Sequence, residues 1–61
     1  MKKIFLTVFD ETGNTLLDES FLATDFRQAK NIATRRLIQE GYQSHTHRLV
    51  TEDGRLILFQ R

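Results

Sequence analysis

The sequence predicts an α+β fold in the order strand, strand, helix, strand, strand. Three observations carry that expectation. Ile4-Phe5-Leu6-Thr7-Val8-Phe9 and Leu56-Ile57-Leu58-Phe59, near the two ends of the 61-residue chain, are apolar at almost every position. Two five-residue segments combine acidic and hydroxyl residues with a glycine and separate apolar runs: Asp10-Glu11-Thr12-Gly13-Asn14 and Thr51-Glu52-Asp53-Gly54-Arg55. Between them lies one stretch whose apolar residues recur with a helical period.

Each turn segment has the chemistry of a type I turn closed by a glycine in the left-handed region, so each is expected to close a β-hairpin. The flanking strands then run from about Lys2 to Phe9 with Thr15 to Leu22, and from about His45 to Val50 with Arg55 to Gln60. Thr24 or Asp25 is placed to cap a helix, with Gln28 three residues after Asp25 as in a capping box. Phe26, Ala29, Ala33 and Leu37 follow at spacings of three, four and four, which puts them on one stripe. Gly41 supplies the residue that commonly ends a helix, so the helix is expected from about Asp25 to Glu40. No proline interrupts any element.

Short turns make the first and second strands antiparallel neighbours, and likewise the third and fourth. Side chains alternate across a strand, so a run apolar at successive positions puts carbon on both faces and belongs inside a sheet. The second strand carries Asp18, Glu19 and Ser20, and the third carries His45, Thr46, His47 and Arg48, polarity that suits edges. The expected sheet is therefore four-stranded and mixed, of order 2-1-4-3, with strands one and four parallel in the middle and the helix on one face. This arrangement is β-grasp-like. In order and element length the whole chain resembles the immunoglobulin-binding domains of streptococcal protein G and, more distantly, ubiquitin-like folds. The resemblance is architectural and brings no binding motif with it.

Residues 1–61 read as a single domain near the lower size limit of independent folding, where only about 60% of the unfolded surface is buried. Cysteine is absent, so no disulfide supplements the core and the commonest structural zinc sites are excluded. Hydrophobic residues at 39% and charged residues at 28% suit a soluble globular domain. No stretch approaches the roughly 20 apolar residues that span a bilayer, and no membrane partner is expected. The Lys2-Lys3 start runs into a short, Thr-containing apolar segment and then Asp10-Glu11, which reads as a strand and not a signal peptide. The expected address is cytoplasmic.

Candidate chemistry is sparse. His45 and His47, at i and i+2, would share one face of an edge strand, but no cysteine or acid in that strand completes a metal site, and both are expected to be solvated. Asp10-Glu11 and Glu52-Asp53 fall in turns, and Asp18 and Glu19 point to opposite faces, so no acid pair forms a general acid/base dyad. Ser20 and Ser44 lack a nucleophile elbow, and Gly13, Gly41 and Gly54 are too scattered to cradle a phosphate. The chain is expected not to be an enzyme, and no cofactor, metal or small-molecule ligand is expected.

Two surfaces remain. One helix shields one face of a small sheet, so part of strands one and four is left uncovered, and contiguous apolar patches on soluble proteins mark interaction sites. In strand four either Leu56 with Leu58 or Ile57 with Phe59 faces away from the helix, and Phe5, Thr7 and Phe9, with Ile57 and Phe59, are the expected interface to a second copy or another protein. The alternative is the helix. Arg27, Lys30, Arg35 and Arg36 give the segment from Phe26 to Gln39 a charge of +4 with no acid, a face suited to nucleic-acid phosphates. The overall charge of only +1 argues against that reading. Ile32 and Ile38 flank the helix core stripe and are expected to be partly exposed. The chain is thus expected to be a small protein-interaction module, self-associating through the open sheet face.

Overall fold

The computed structural model describes all residues, 1–61. Strands β1 (Lys2–Phe9) and β2 (Thr15–Ala23) are followed by helix α1 (Phe26–Glu40) and strands β3 (Thr46–Thr51) and β4 (Leu56–Gln60).

The two hairpin turns share one hydrogen-bond plan. The first residue's N–H donates to the fifth residue's carbonyl, Asp10 to Asn14 and Thr51 to Arg55, both at 2.9 Å. The glycine N–H returns to the first residue's carbonyl, Gly13 to Asp10 at 3.1 Å and Gly54 to Thr51 at 3.0 Å. Both glycines have positive φ, 90° and 89°, a region open to glycine and strained for side-chain-bearing residues. In the first turn the Asp10 carboxylate accepts from the Thr12 and Asn14 N–H groups, each at 2.9 Å, and from the Thr12 hydroxyl. In the second the Thr51 hydroxyl takes that place, accepting from the Arg55 N–H at 3.0 Å and donating to the Asp53 carboxylate. These bonds favour the ionised acids and hold the Asp10 and Asp53 carboxyls below the usual carboxylate range.

Asp25 is the helix N-cap, its carboxylate accepting from the Gln28 N–H at 2.8 Å. The Gln28 side chain reaches one residue further back than a standard capping box and accepts from the Thr24 N–H at 2.6 Å. Gly41 ends the helix at φ 74°, its N–H bonded to the Ile38 carbonyl, while the Tyr42 N–H reaches the Leu37 carbonyl at 2.8 Å.

The strand order is β2-β1-β3-β4 and every pairing is antiparallel. This corrects the expected mixed 2-1-4-3 sheet and removes the β-grasp arrangement, which needs β1 beside β4. The reason lies in the polar groups of β3. His47 and Thr51 are buried on its helix side, but Nδ1 of His47 bonds the His45 carbonyl at 2.8 Å and the Thr51 hydroxyl is satisfied within its turn. Burial of such groups carries little penalty once they are paired, so polar residue types do not force a strand to an edge. β4, only five residues long, is an edge strand despite its composition, opposite β2 at the other edge.

Register assigns the faces. Ile4, Leu6 and Val8 of β1 stand opposite Thr51, Leu49 and His47 of β3 and opposite Phe21, Glu19 and Leu17 of β2, and this side faces the helix. Ile4, Leu6, Val8 and Leu49 have no exposed surface and meet Ala29, Ala33 and Leu37 of α1. The two helix alanines have no bulk to hold the backbone off the sheet, so the helix lies close over the buried side chains of β1 and β3.

Candidate interaction surface

The other side of the sheet has no covering element. Alternation places Lys3, Phe5, Thr7 and Phe9 of β1 there, with Asp18, Ser20 and Leu22 of β2, Thr46, Arg48 and Val50 of β3, and Phe59 of β4. A register shift between Leu49 and Val50 sets Leu58 opposite Leu49 on the helix side and Leu56 opposite Val50 on the open side. Ile57 becomes the extra residue and packs with Leu58 against the core cluster. Of the expected interface residues, the structure therefore brings Phe5, Thr7, Phe9 and Phe59 together on the open face and draws Ile57 away from it. Leu56 takes that place. The signal that distinguishes the two, a bulge one residue after the second turn, cannot be read from an unbroken apolar run.

The open face is graded in exposure. Phe5, Thr7, Phe9 and Val50 in the middle strands are half-buried by their neighbours, whereas Leu22 at 56%, Leu56 at 56% and Phe59 at 49% lie open towards the edges. One row crosses the sheet as Ser20, Phe5, Val50 and Leu56, and the next as Asp18, Thr7, Arg48 and Phe59. The second row sets an acid and a base symmetrically on either side of Thr7. Cations border the aromatics: Lys3 Nζ lies 5.5 Å from the Phe5 ring centre and the Arg48 guanidinium 5.7 Å from that of Phe9, within cation–π range.

The helix face is less basic than its composition suggests. Arg36 grips Glu19 of β2 with two nitrogens, the second at 3.1 Å, and also pairs with Glu40 one turn on at 3.2 Å. Bonding to Glu19 first and Glu40 second holds the guanidinium in its charged form. Arg27, Lys30 and Arg35 remain exposed and make no ion pair within 4.0 Å. The Glu40 partner is legible at i, i+4, but Glu19 requires knowledge of which face of β2 turns inward. Ile38 is 58% exposed and Ile32 half-buried, as the flanking positions suggest.

The histidines are not solvated side chains on an edge. His47 is buried at 6% exposure in an inner strand, and His45 lies just before β3, half-buried, with its ring 5.2 Å from that of Tyr42 in an edge-on pair. No three His, Cys, Asp or Glu side chains gather into a metal-binding group. A cleft of about 510 Å³ lies where Lys2 and Arg55 flank the Phe26 ring, at 5.6 and 5.9 Å from its centre. Lys3, Glu52 and Asp53 share its lining, so its three basic side chains face two acids. No helix is long and apolar enough to cross a membrane.

Comparison with known proteins gives one family and one relative. The family described as YhzD-like protein matches residues 1–61. The uncharacterized protein YhzD of Bacillus subtilis (strain 168) is 49% identical over 61 residues, covering 100% of both chains. No solved structure matches.

Proposed function

This chain belongs to the YhzD-like family, and we propose that it acts as a small interaction module whose open sheet face binds a second copy of itself. The supporting observation is the row Asp18, Thr7, Arg48. A two-fold axis running along β1 over Thr7, in the plane between two facing sheets, exchanges the positions of β2 and β3. Asp18 of each copy then meets Arg48 of the other, while Phe5 meets Phe5 and Phe9 meets Phe9. The Asp18–Arg48 row is self-complementary in charge, as an isologous interface requires, while the Lys3 side chains of the two copies face each other at the end of β1.

The dimensions set the strength. With the axis on β1 the strands that face one another are β2, β1 and β3 of each copy, and three strands at about 4.8 Å spacing with about six residues at 3.3 Å rise give about 290 Å² of face in projection. Two such faces bury on the order of 600 Å², well under the area of stable complexes, so the dimer forms weakly and depends on concentration. Arg48→Asp sets acid against acid and returns the chain to monomer, and Asp18→Arg combined with Arg48→Asp restores the dimer. Sedimentation velocity of the two variants tests the reading; a double variant as monomeric as the single one overturns it.

Phosphate binding by α1 is the weaker alternative. With Arg36 held by Glu19 and Glu40, the free cations fall to Arg27, Lys30 and Arg35, spread over more than two turns. An oligonucleotide titration at low and physiological salt checks it, because phosphate contacts weaken steeply with salt.

A further inference from the structure

A second surface lies at the side of the sheet. β2 has β1 as its only neighbour and, at nine residues, is the longest strand. The outward N–H and C=O groups of such an edge are unpaired and template another strand unless the protein blocks them. Lysine and proline, the usual blocks, are absent from Thr15–Ala23. The one charge turned inward on β2, Glu19, is neutralised by Arg36 and so does not repel an incoming chain.

Beside this edge runs a groove of about 290 Å³ between β2 and α1, bordered by Phe21 and Ile32, both half-buried, and by Arg35. The Glu19–Arg36 bridge ties its two walls together and preforms it. Arg35 is the unpaired cation at its rim. A strand added to β2 sends every second side chain towards the helix, about 6.6 Å apart. One such side chain lies against Phe21 and Ile32 and the next reaches Arg35.

The geometry points to strand addition: the β2 edge and its groove accept an extended segment of a partner protein that presents an apolar and an acidic side chain two residues apart. The backbone supplies hydrogen bonds, and the groove selects sequence by burial and charge, as in other edge-strand recognition. Sheet-to-sheet pairing over β1 leaves this edge free, so the inference does not depend on self-association.

The test uses the ¹⁵N-labelled chain and three capped hexapeptides: Thr-Val-Thr-Glu-Thr-Thr, in which valine and glutamate stand two residues apart on one face, the same peptide with lysine in place of the glutamate, and the first peptide N-methylated at alternate residues. The valine–glutamate peptide is expected to shift the amide signals of Phe21, Leu22, Ile32 and Arg35 and to slow exchange at alternate β2 amides. The N-methylated peptide is expected not to bind. Arg35→Glu is expected to weaken valine–glutamate binding about tenfold and to favour the lysine peptide. Arg48→Asp, placed on the other surface, should bind like the parent. Equal binding of the N-methylated peptide, indifference to Arg35→Glu, or no binding of any peptide overturns the proposal. Alternate β2 amides already protected in the protein alone, from the side away from β1, mean that a second copy occupies the edge, and overturn it as well.

Discussion

Leu49→Ala probes the strand order through the energy of a single side chain. Leu49 has no exposed surface and lies between Leu6 of β1 and Leu58 of β4, beneath the helix. Truncating a fully buried leucine removes its transfer free energy and leaves a cavity, at a cost of about 3 to 5 kcal/mol. A chain of this size has a total stability of about 3 to 9 kcal/mol at the usual 0.05 to 0.15 per residue, so the variant loses from about a third to all of it. Leu58, half-buried on the edge strand, should cost about 1 to 2 kcal/mol on the same change, and the exposed Leu56 about 0.5 or less. Urea unfolding followed by circular dichroism, analysed with a common slope, gives the ranking Leu49, Leu58, Leu56. If Leu49→Ala is too unstable to measure, Leu49→Val against Leu58→Val keeps the same order with a cost of about 1 kcal/mol for the first. A larger loss at position 58 than at 49 refutes the reasoning, because a sheet with β4 in the middle requires it.

Other expectations concern the turns, the helix end and the ion pair. The folded-state carboxyls of Asp10 and Asp53 titrate below their unfolded values, so their contribution is complete above the ordinary carboxylate pKa and is lost as pH falls through the folded one. Urea midpoints should therefore drop on acidification, and Asp10→Asn should flatten that dependence; an unchanged slope rejects the link. Gly41→Ala, at φ 74°, should destabilise by about 1 kcal/mol in thermal melts, and a neutral effect contradicts the left-handed helix end. Arg36→Met and Glu19→Gln should each lower stability, and the double variant should lose less than their sum. Strict additivity in that cycle means that the pair does not couple α1 to β2.

Much of the architecture was legible because local signals carried it. Asp25, Gly41 and the two acidic, glycine-closed turns mark every element to within one or two residues, and Ala29, Ala33 and Leu37 name the helix face that is buried. The order of strands is a long-range property, and residue polarity misjudged it. His47 and Thr51 are polar by type yet satisfied by partners within two to four residues, which allows β3 to lie inside the sheet. The open face was legible in β1, where alternation is regular, so Phe5, Thr7 and Phe9 fall together. It was not legible in β4, where a one-residue shift turns Leu56 outward and Ile57 towards the core. The Glu19–Arg36 bond joins residues 17 apart through tertiary packing and leaves no periodic trace.

The most direct test of self-association through the open face is sedimentation equilibrium of the unmodified chain over a micromolar concentration series. A reversible monomer–dimer equilibrium, with the signals of Phe5 and Phe9 moving in NMR spectra as dimer accumulates, is the expected result. A monomer at every concentration, with those rings unchanged, contradicts it.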